Sequence, residues 1–268
     1  QWHGQYDVIV VGFGAAGACA AIAAADAGCS VLICDIASGS GGSTALSSAE
    51  LYLGAGTRVQ KACGYNDSVE AMYDYLMVSN GPQADRAKIR AYCEGSADHF
   101  NWLVDLGVPF NDSEFKARAI VATTDDGLLY TGSEKAWPYV ESIAPAPRGH
   151  NLAIKGDHGG PLFMKILTGA ALQRGVEVHF ETRALRLIED SGEVVGLVVR
   201  SDMQERYLRS NQGVILSAGG FVMNREMLAE YAPDLMRCNL PIGNAGDTGS
   251  GILIGQSMGA AVTNMHEG

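Results

Sequence analysis

The sequence lacks the features that mark nucleic-acid-binding, secreted and membrane proteins. Its 268 residues include only 19 lysines and arginines against 30 aspartates and glutamates, and the formal net charge of −11 argues against nucleic acid or an anionic membrane as the main partner. No apolar run approaches the roughly 20 residues that cross a bilayer. The N-terminal QWHGQYD has no signal-peptide pattern. We therefore expect no membrane span and a cytoplasmic location.

Paired cysteines and metal-ligand spacings are also missing. The six cysteines include no CxxC pair, the six histidines include no HExxH spacing, and no Ser-His-Asp or Cys-His arrangement follows from spacing alone. A buried thiol packs as a small hydrophobe. We therefore expect no metal site, and reduced thiols rather than disulfides at Cys19, Cys29, Cys34, Cys63, Cys93 and Cys238.

Glycine, in contrast, is abundant. The chain has 34 glycines among 268 residues, well above the usual share of about 7%. They occur in short clusters, as at 12–17, 39–42 and 243–251. Hydrophobic residues make up 47% of the chain, which argues against disorder. Clustered glycines in a chain with ample core predict a backbone shaped around a ligand rather than a flexible linker.

The first cluster lies in VIVVGFGAAG, directly after an apolar run. Residues 6–11 predict a buried parallel strand, residues 15–27 a helix rich in alanine, and SVLICD a second parallel strand. In such a unit Gly12 permits the tight turn, Gly14 lets a pyrophosphate approach the backbone, and Gly17 lets the helix lie close to the strand. The free N–H groups and partial positive charge of the helix N-terminus favour phosphates. The alternative, a glycine-rich turn in a ligand-free α/β fold, is the weaker reading.

An acidic residue stands where this unit needs one. Asp35 ends the second predicted strand, and its carboxylate can accept hydrogen bonds from both hydroxyls of a ribose. The same charge would repel a 2′-phosphate, which disfavours NADP. The segment that follows, SGSGGSTALSS, is too long and too rich in glycine and serine for an ordinary strand-to-helix loop. It suits a dinucleotide that continues past its pyrophosphate to a ribityl chain and a flat ring, and so favours FAD over NAD. The alternative is a serine-rich surface loop.

The remaining chain predicts one large irregular segment and a run of short strands. We expect helices at 69–79, 85–106, 160–174 and 224–231, and a Gly-rich loop, NAGDTGSG, that opens a last helix. Residues 108–158 predict a lid or a wall of a substrate cavity. Short strands joined in an antiparallel meander are predicted at 176–180, 184–189, 194–200, 205–209 and 214–217. The predicted organisation is a first part of a cofactor domain at 1–107, the irregular segment at 108–158, and a second part with the meander at 159–268.

A few polar side chains in or near the irregular segment are weaker candidates. His158 could approach a cofactor, but a surface histidine at a helix start is the more common case. Tyr52, Tyr130 and Tyr139 lie near cavity-like segments, and packing is a more frequent role for each than catalysis. Arg148 between Pro147 and Gly149 could hold a lid in place, and an exposed arginine is the equal alternative.

Several longer strings resemble a known family. The opening VVGFGAAGACAA, the acidic strand end and GGSTALSS look like the FAD-binding domain of the fumarate reductase and succinate dehydrogenase flavoprotein superfamily. The later GVILSAGGF and GDTGSG occur in that superfamily's order, so the resemblance covers nearly the whole chain. More narrowly, ALSSAELYLGAGTRVQKACGY, YCEGSADHFNWLVDLGVPF, DDGLLYTGSE and APAPRGH resemble the 3-ketosteroid Δ4-(5α)-dehydrogenase branch.

The resemblance implies an α/β fold with a Rossmann-type parallel sheet, an antiparallel meander and FAD as cofactor. Covalent-flavin members attach FAD to a histidine just before the small-residue loop, whereas this chain has Ser40, so non-covalent binding is implied. The resemblance implies that different residues bind the pyrophosphate, the ribose, the ribityl chain and ring, and the adenine, and that others close over the nucleotide. The implied cofactor residues are Gly12, Gly14, Ala15, Ala16, Gly17, Asp35, Ile36, Gly41, Gly42, Ser43, Thr44, Ala45, Ser47, Ser48, Ala184, Ala218, Gly219, Gly220 and Asp247.

The resemblance also implies a reaction. A base would take the acidic α-proton of a 3-ketosteroid while flavin N5 takes a hydride from the β-carbon, and a hydrogen-bond donor would polarise the ketone. The family's catalytic part lies beyond the matched stretch, so we expect a missing C-terminal segment or a second chain to supply the catalytic residues. The partners implied are a small hydrophobic ketone, a steroid, and an electron acceptor. Two alternatives stay open: reduction of an unsaturated acid, as in a fumarate reductase, and a truncated FAD-binding module without activity of its own.

Overall fold

The computed structural model describes residues 1–117, 122–156 and 158–266. Parts of two predicted ranges therefore lie outside the described residues, namely 118–121 and 157 of 108–158, and 267–268 of 159–268. The strands are β1 Gly4–Val11, β2 Val31–Cys34, β3 Leu51–Tyr52, β4 Gly149–His150, β5 Glu177–His179, β6 Arg183–Asp190, β7 Glu193–Ser201 and β8 Gln204–Leu216. The helices are α1 Ala15–Asp26, α2 Arg58–Ala62, α3 Val69–Ser79, α4 Arg86–Asp105, α5 Tyr139–Ser142, α6 Gly159–Gln173, α7 Arg225–Tyr231 and α8 Ser250–Ser257, and short 3₁₀ helices span Gly42–Leu46, Gly81–Gln83 and Pro233–Arg237.

The chain divides into two compact units. The first unit comprises residues 1–46 and 167–268, and the second comprises residues 47–166. The predicted irregular segment 108–158 falls within the second unit, which also takes in residues 47–107. A role for that segment as a lid or a cavity wall stays a prediction.

The first unit is built on a six-stranded sheet in the order β5-β2-β1-β8-β7-β6. Neighbours from β5 to β8 pair in parallel, and β8, β7 and β6 pair antiparallel. The apolar residues of β2 and the second half of β1 are all buried, as expected for parallel strands covered on both faces. The predicted parallel sheet with an antiparallel meander is confirmed.

Two details of the predicted meander are wrong. The strand predicted at 176–180 is β5, which pairs in parallel with β2 and lies at the far edge of the sheet. It follows α6, and a strand that follows a crossover helix returns in parallel. The strands predicted at 205–209 and 214–217 are a single strand, β8. The intervening SNQG is a bulge, because the pairing with β1 shifts from Tyr6–Ser210 to Val8–Gly213. At this point the Ser210 hydroxyl donates to the Asp7 carbonyl (3.0 Å) and accepts from the Gly213 amide (3.0 Å).

Glycine is required at two positions where β1 passes into α1. Gly12 has φ +101°, and a Cβ there would lie 2.5 Å from the Ser217 carbonyl oxygen. A Cβ on Gly17 would lie 1.9 Å from the Gly12 carbonyl oxygen. Both distances are far shorter than any real Cβ contact, so the tight turn and the close approach of helix and strand both exclude a side chain. These are the structural roles that the motif predicts for the two glycines.

Two helices of the second unit, α3 and α4, begin at residues whose side chains cap the helix N-terminus. Ser68 accepts a hydrogen bond from the Ala71 amide at the start of α3, and Asp85 accepts from the Ala87 and Lys88 amides at the start of α4. Gly107 ends the α4 region with φ +95°. The helices predicted at 69–79 and 85–106 are thereby confirmed. They could be predicted because their caps and their spacing of apolar residues are local features of the sequence.

A buried ion pair joins distant segments of the second unit. The fully buried Arg148 guanidinium donates from Nε to Asp67 Oδ2 (2.9 Å) and from Nη2 to Asp67 Oδ1 (2.7 Å). Gln60 Nε2 and the Ala55 amide also donate to Asp67 Oδ2, each at 3.0 Å. Burial alone would raise the pKa of Asp67, but the hydrogen bonds and charge of Arg148 outweigh it and hold that pKa below its ordinary value. The alternative of an exposed Arg148 is wrong, because the side chain is fully buried. Nothing in its local sequence reveals Asp67 as a partner.

Tyr52 extends this cluster towards a second carboxylate. Its hydroxyl donates to Glu134 Oε1 (2.6 Å), which lies 3.8 Å from Arg148 Nη1. Burial, and then the hydrogen bond to Glu134, raises the pKa of Tyr52 above its ordinary value. Tyr130 and Tyr139 make comparable packing contacts, with the Pro145 carbonyl (3.3 Å) and the Tyr75 ring (centroids 5.9 Å apart). These contacts favour a packing role for all three predicted tyrosines.

His150 is buried next to this cluster in its neutral form. Its Nδ1 donates to the Arg148 carbonyl (3.1 Å), and its Nε2 accepts from the Thr57 hydroxyl (2.8 Å), which itself caps α2. Burial lowers the pKa of His150 to about 4. The folded chain therefore disfavours a proton on this ring that the unfolded chain would accept.

Membrane helices, cysteines and metal-ligand clusters can each be examined in the part of the chain that the structure describes. None of its helices is both long and apolar enough to cross a membrane. All six cysteines are described and each is a free thiol. Among the described residues no cluster of three histidine, cysteine, aspartate or glutamate side chains could hold a metal ion.

Removing the charge of Asp67 should destabilise the protein strongly. Asp67→Asn removes the carboxylate that is hydrogen-bonded to the buried Arg148 guanidinium and leaves only Glu134 Oε1, 3.8 Å from Nη1, as a counter-ion. Breaking such a buried pair costs roughly 3 kcal/mol or more. Urea unfolding measures the free energy. The matched control is Glu70→Gln, which removes an exposed carboxylate that bonds Arg90, and which should change the free energy of unfolding little. Equal, small effects of the two variants would contradict the assigned role of Asp67.

His150 should make the protein less stable in acid. Its pKa is about 4 when folded, and an unfolded histidine titrates near 6.5, so the unfolded chain binds the extra proton between these values. The free energy of unfolding should fall by up to about 1.4 kcal/mol per pH unit as pH drops from 6.5 to 4. His150→Gln keeps an acceptor for Thr57 and should remove this component. Parallel pH profiles of wild type and variant would show that the assignment is wrong.

Candidate functional site

A cavity of about 530 Å³ opens in the first unit at the carboxyl ends of parallel strands. Strands β1, β2 and β8 end at residues 11, 34 and 216, and open α/β sheets bind ligands at this edge. The volume is within the range of about 300–1,000 Å³ typical of ligand pockets. The walls are formed by residues 11–16, 34–37, 42–44, 182–184, 217–219, 244–248 and 250.

The N-terminus of α1 faces this cavity without a capping side chain. Gly14 is its N-cap and has no side chain that could accept a hydrogen bond, and the first turn holds no acidic residue. The Ala15 amide donates to the Thr44 hydroxyl (3.2 Å). A helix N-terminus without its own cap offers N–H donors and a partial positive charge to an anion.

Gly14 differs from its two neighbours in the motif. Its φ is −82°, which any residue adopts, and the nearest atom to an added Cβ would be the Thr44 hydroxyl at 3.7 Å. The protein itself therefore has room for a side chain at this position. A missing side chain that the fold does not require leaves bare backbone beside the cavity, as close approach of a phosphate demands.

Asp35 is held rigidly at the end of β2. Its Oδ2 accepts from the Phe13 amide (2.6 Å) and its Oδ1 accepts from the Ala37 amide (2.7 Å). Each carboxylate oxygen has a second lone pair, so the group can still accept from a ligand hydroxyl. The Phe13 amide, in contrast, is already used within the protein.

Ser43, Asn244 and Asp247 form a hydrogen-bonded group in the cavity wall. The Ser43 hydroxyl donates to Asp247 Oδ2 (2.5 Å) and lies within bonding distance of the Asn244 amide (3.1 Å) and Nδ2 (3.0 Å). Asp247 is 6% exposed. In the hydrogen bonds of the described residues its Oδ1 has no partner, and Asp247 is one of the residues that line the cavity.

The structure brings most of the predicted cofactor residues together. Those in the cavity wall are Gly12, Gly14, Ala15, Ala16, Asp35, Ile36, Gly42, Ser43, Thr44, Ala184, Ala218, Gly219 and Asp247. Gly17 lies behind the wall in the packing of α1, and Gly41, Ala45 and Gly220 belong to the same unit outside the wall. Ser47 and Ser48 belong to the second unit. Binding of a cofactor by each of these residues stays a prediction.

Several wall residues escape sequence reasoning. Asn244 lies in the Gly-rich loop that the sequence marks as a helix opening, but only the fold brings it to Ser43. Thr182 and Arg183 follow the edge strand β5, which the sequence places in the wrong part of the sheet. A signal for Asn244 was available, since it begins the same NAGDTG string as Asp247.

Comparison with known proteins identifies a family. The sequence model described as "FAD binding domain" matches residues 7–268. The chain is 31% identical over 259 residues to a probable fumarate reductase, Ifc3, of Shewanella frigidimarina, covering 96% of the chain and 39% of that relative. It is 32% identical over 206 residues to 3-oxo-5-alpha-steroid 4-dehydrogenase of Comamonas testosteroni, covering 74% of the chain and 38% of that relative.

Solved structures show the same two kinds of relative. The 3-ketosteroid-delta4-(5alpha)-dehydrogenase of Rhodococcus jostii RHA1, in complex with 4-androstene-3,17-dione, matches with a TM-score of 0.96 and 42% identity, over 99% of this chain and 56% of that one. A flavocytochrome c3 fumarate reductase in an open conformation matches with a TM-score of 0.82 and 29% identity, over 97% of this chain and 41% of that one. The chain thus spans about half the length, or less, of these proteins.

The cavity fits the cofactor of this family. FAD carries a pyrophosphate, and the cavity presents an uncapped helix N-terminus and a glycine whose Cβ the protein could accommodate. FAD also carries ribose and ribityl hydroxyls, and the wall presents the Asp35 carboxylate and Asp247 Oδ1 as acceptors. Donors and acceptors of the wall are therefore of the kinds that an FAD molecule requires.

Gly14→Ala should weaken FAD binding without destabilising the fold. The added methyl has space in the protein but occupies the approach to the backbone, so we expect the dissociation constant for FAD to rise at least tenfold with an unchanged melting temperature of the apoprotein. Quenching of flavin fluorescence measures the affinity. Gly169→Ala, in α6 with open space around its Cβ, is the matched control and should bind FAD as the wild type does. Unchanged affinity in Gly14→Ala would contradict close approach at this site.

Proposed function

Because this chain belongs to the FAD binding domain family, we propose that it forms the cofactor-binding part of an FAD-dependent oxidoreductase that desaturates a carbon–carbon bond next to a ketone. The proposed substrate class is a 3-ketosteroid. The observation that supports this choice is the likeness to the 3-ketosteroid dehydrogenase structure, which exceeds that to the fumarate reductase structure in identity, TM-score and coverage.

The proposal gives each part of the cavity wall a task. The amides at the N-terminus of α1 bind the pyrophosphate, beside the bare backbone of Gly14. The Asp35 carboxylate, held by two backbone amides, would accept hydrogen bonds from the hydroxyls of the adenosine ribose. The backbone at Ala184 would meet the adenine, and Ala218 and Gly219 would close over the nucleotide half. Binding is non-covalent, with Ser40 at the position of the linking histidine of other members.

Bound FAD supplies the two-electron acceptor for such a desaturation. The residues of this chain then bind, orient and shield the cofactor rather than act on the steroid. Tyr52 and Tyr130 have raised pKa values, first because of burial, and their hydroxyls bond groups of their own unit. We therefore assign neither the removal of the α-proton nor the polarisation of the ketone to these two tyrosines.

A second candidate has its own support. The identity to a probable fumarate reductase equals that to the curated steroid dehydrogenase to within one percentage point, and it extends over more of the chain. Reduction of an unsaturated acid by the same cofactor would require cationic side chains that bind carboxylates. The segments GLLYTG and AWPYV are instead apolar and aromatic, which favours a hydrophobic ketone.

A direct assay separates the candidates. The purified full-length protein should desaturate a saturated 3-ketosteroid with an artificial electron acceptor, because the apolar and aromatic segments GLLYTG and AWPYV favour an apolar ketone. It should not oxidise a reduced dye with fumarate. Activity across preparations should follow the flavin content. Fumarate-dependent oxidation without steroid turnover would establish the second candidate. A protein that binds FAD but turns over neither substrate, with a native mass near 28.2 kDa, would be a binding module.

A further inference from the structure

The hydroxyl of Ser43 has no capacity left for a ligand. A hydroxyl has one proton to donate and two lone pairs that accept. Its proton goes to Asp247 Oδ2, and its lone pairs are used by the Asn244 amide (3.1 Å) and by Asn244 Nδ2 (3.0 Å). Ser43 lies in the cavity wall, but its side chain is bound entirely to the protein.

Asn244 shapes its own loop with its other side-chain atom. Its Oδ1 accepts from the Gly246 amide (2.6 Å), while its backbone amide donates to both Ser43 Oγ and Asp247 Oδ2 (3.1 Å each). One residue therefore fixes the turn that carries Asp247 and binds that turn to the 3₁₀ helix at Gly42–Leu46. These two parts of the wall are about 200 residues apart in the sequence.

Two neighbouring glycines make room for the Asp247 carboxylate. A Cβ on Gly219 would lie 2.3 Å from Oδ1, and a Cβ on Gly243 would lie 2.7 Å from Oδ2, so both glycines make room for the carboxylate. Oδ2 is bound by Ser43 and Asn244, so Oδ1 is the oxygen of this cavity-lining residue that is left to accept from a ligand.

We propose that Ser43 and Asn244 are cofactor-positioning residues that, through Asp247, form a latch between the two Gly-rich segments of the cavity wall. The proposal rests on the proposed function in that FAD is the ligand of the cavity. Without the latch both segments sample other conformations, and their loss of conformational entropy on ordering then reduces the free energy of FAD binding. The latch sets the wall before the cofactor arrives, so its loss should act mainly through faster dissociation of FAD.

The test compares FAD binding by variants of the full-length protein after removal and re-addition of FAD. Ser43→Ala should raise the dissociation constant about tenfold, with most of the change in the dissociation rate, and Ser43→Thr, which keeps the hydroxyl, should recover most of the affinity. The matched control is Ser257→Ala in α8, because the Ser257 hydroxyl donates to the Ile254 carbonyl (2.7 Å) outside the wall, and this variant should bind FAD like the wild type. Rescue by threonine separates loss of the hydroxyl from general damage.

A second variant covers the case in which Ser43→Ala does not fold. Asn244→Asp keeps the acceptor for the Gly246 amide but replaces a donor with a second carboxylate oxygen beside Asp247, so it should weaken FAD binding more than tenfold. If Ser43→Ala or Asn244→Asp binds FAD within twofold of the wild type, the latch is refuted. If the wild type itself binds no FAD, the proposed function fails instead, which is a distinct outcome.

Discussion

Bare backbone between residues 12 and 17 is the constraint on which the rest of the first unit depends. Gly12 and Gly17 are glycines because the protein leaves no space for a Cβ, so they bring α1 against β1 and β8. Gly14 has that space and still lacks a side chain. The turn thus joins a requirement of the fold to a requirement of the ligand, and it places the positive end of a helix dipole where three parallel strands end.

The parts of the fold that local sequence determines were predictable. The alternation of strand, helix and strand at 4–34 follows from apolar runs and glycines, and α3 and α4 follow from their caps and periodicity. Errors arose where pairing is decided at long range. The strand β5 joins the parallel edge because a helix precedes it, and β8 is continuous because a serine hydroxyl satisfies a bulge. Neither pairing is visible in a window of a few residues.

The candidate site shows the same division. Glycine spacing and the acidic strand end predict the wall near α1, since both are local signals with a physical cause. The pairs Ser43–Asp247 and Arg148–Asp67 could not be predicted, because their members lie far apart in the sequence, by 204 and 81 positions respectively. A polar side chain read alone offers no way to decide between solvent and a buried partner. In both pairs the partner is a buried carboxylate, and several donors converge on that carboxylate.

The central claim is that this cavity binds FAD, and the visible spectrum of the protein tests it most directly. The full-length protein is incubated with excess FAD, the unbound fraction is removed by gel filtration, and the flavin absorbance near 450 nm is compared with the protein concentration, on the order of one flavin per chain being the stoichiometry of a single dinucleotide site. We predict a yellow protein with about one FAD per chain, released by denaturation. A folded, full-length protein that leaves the column colourless would contradict the claim.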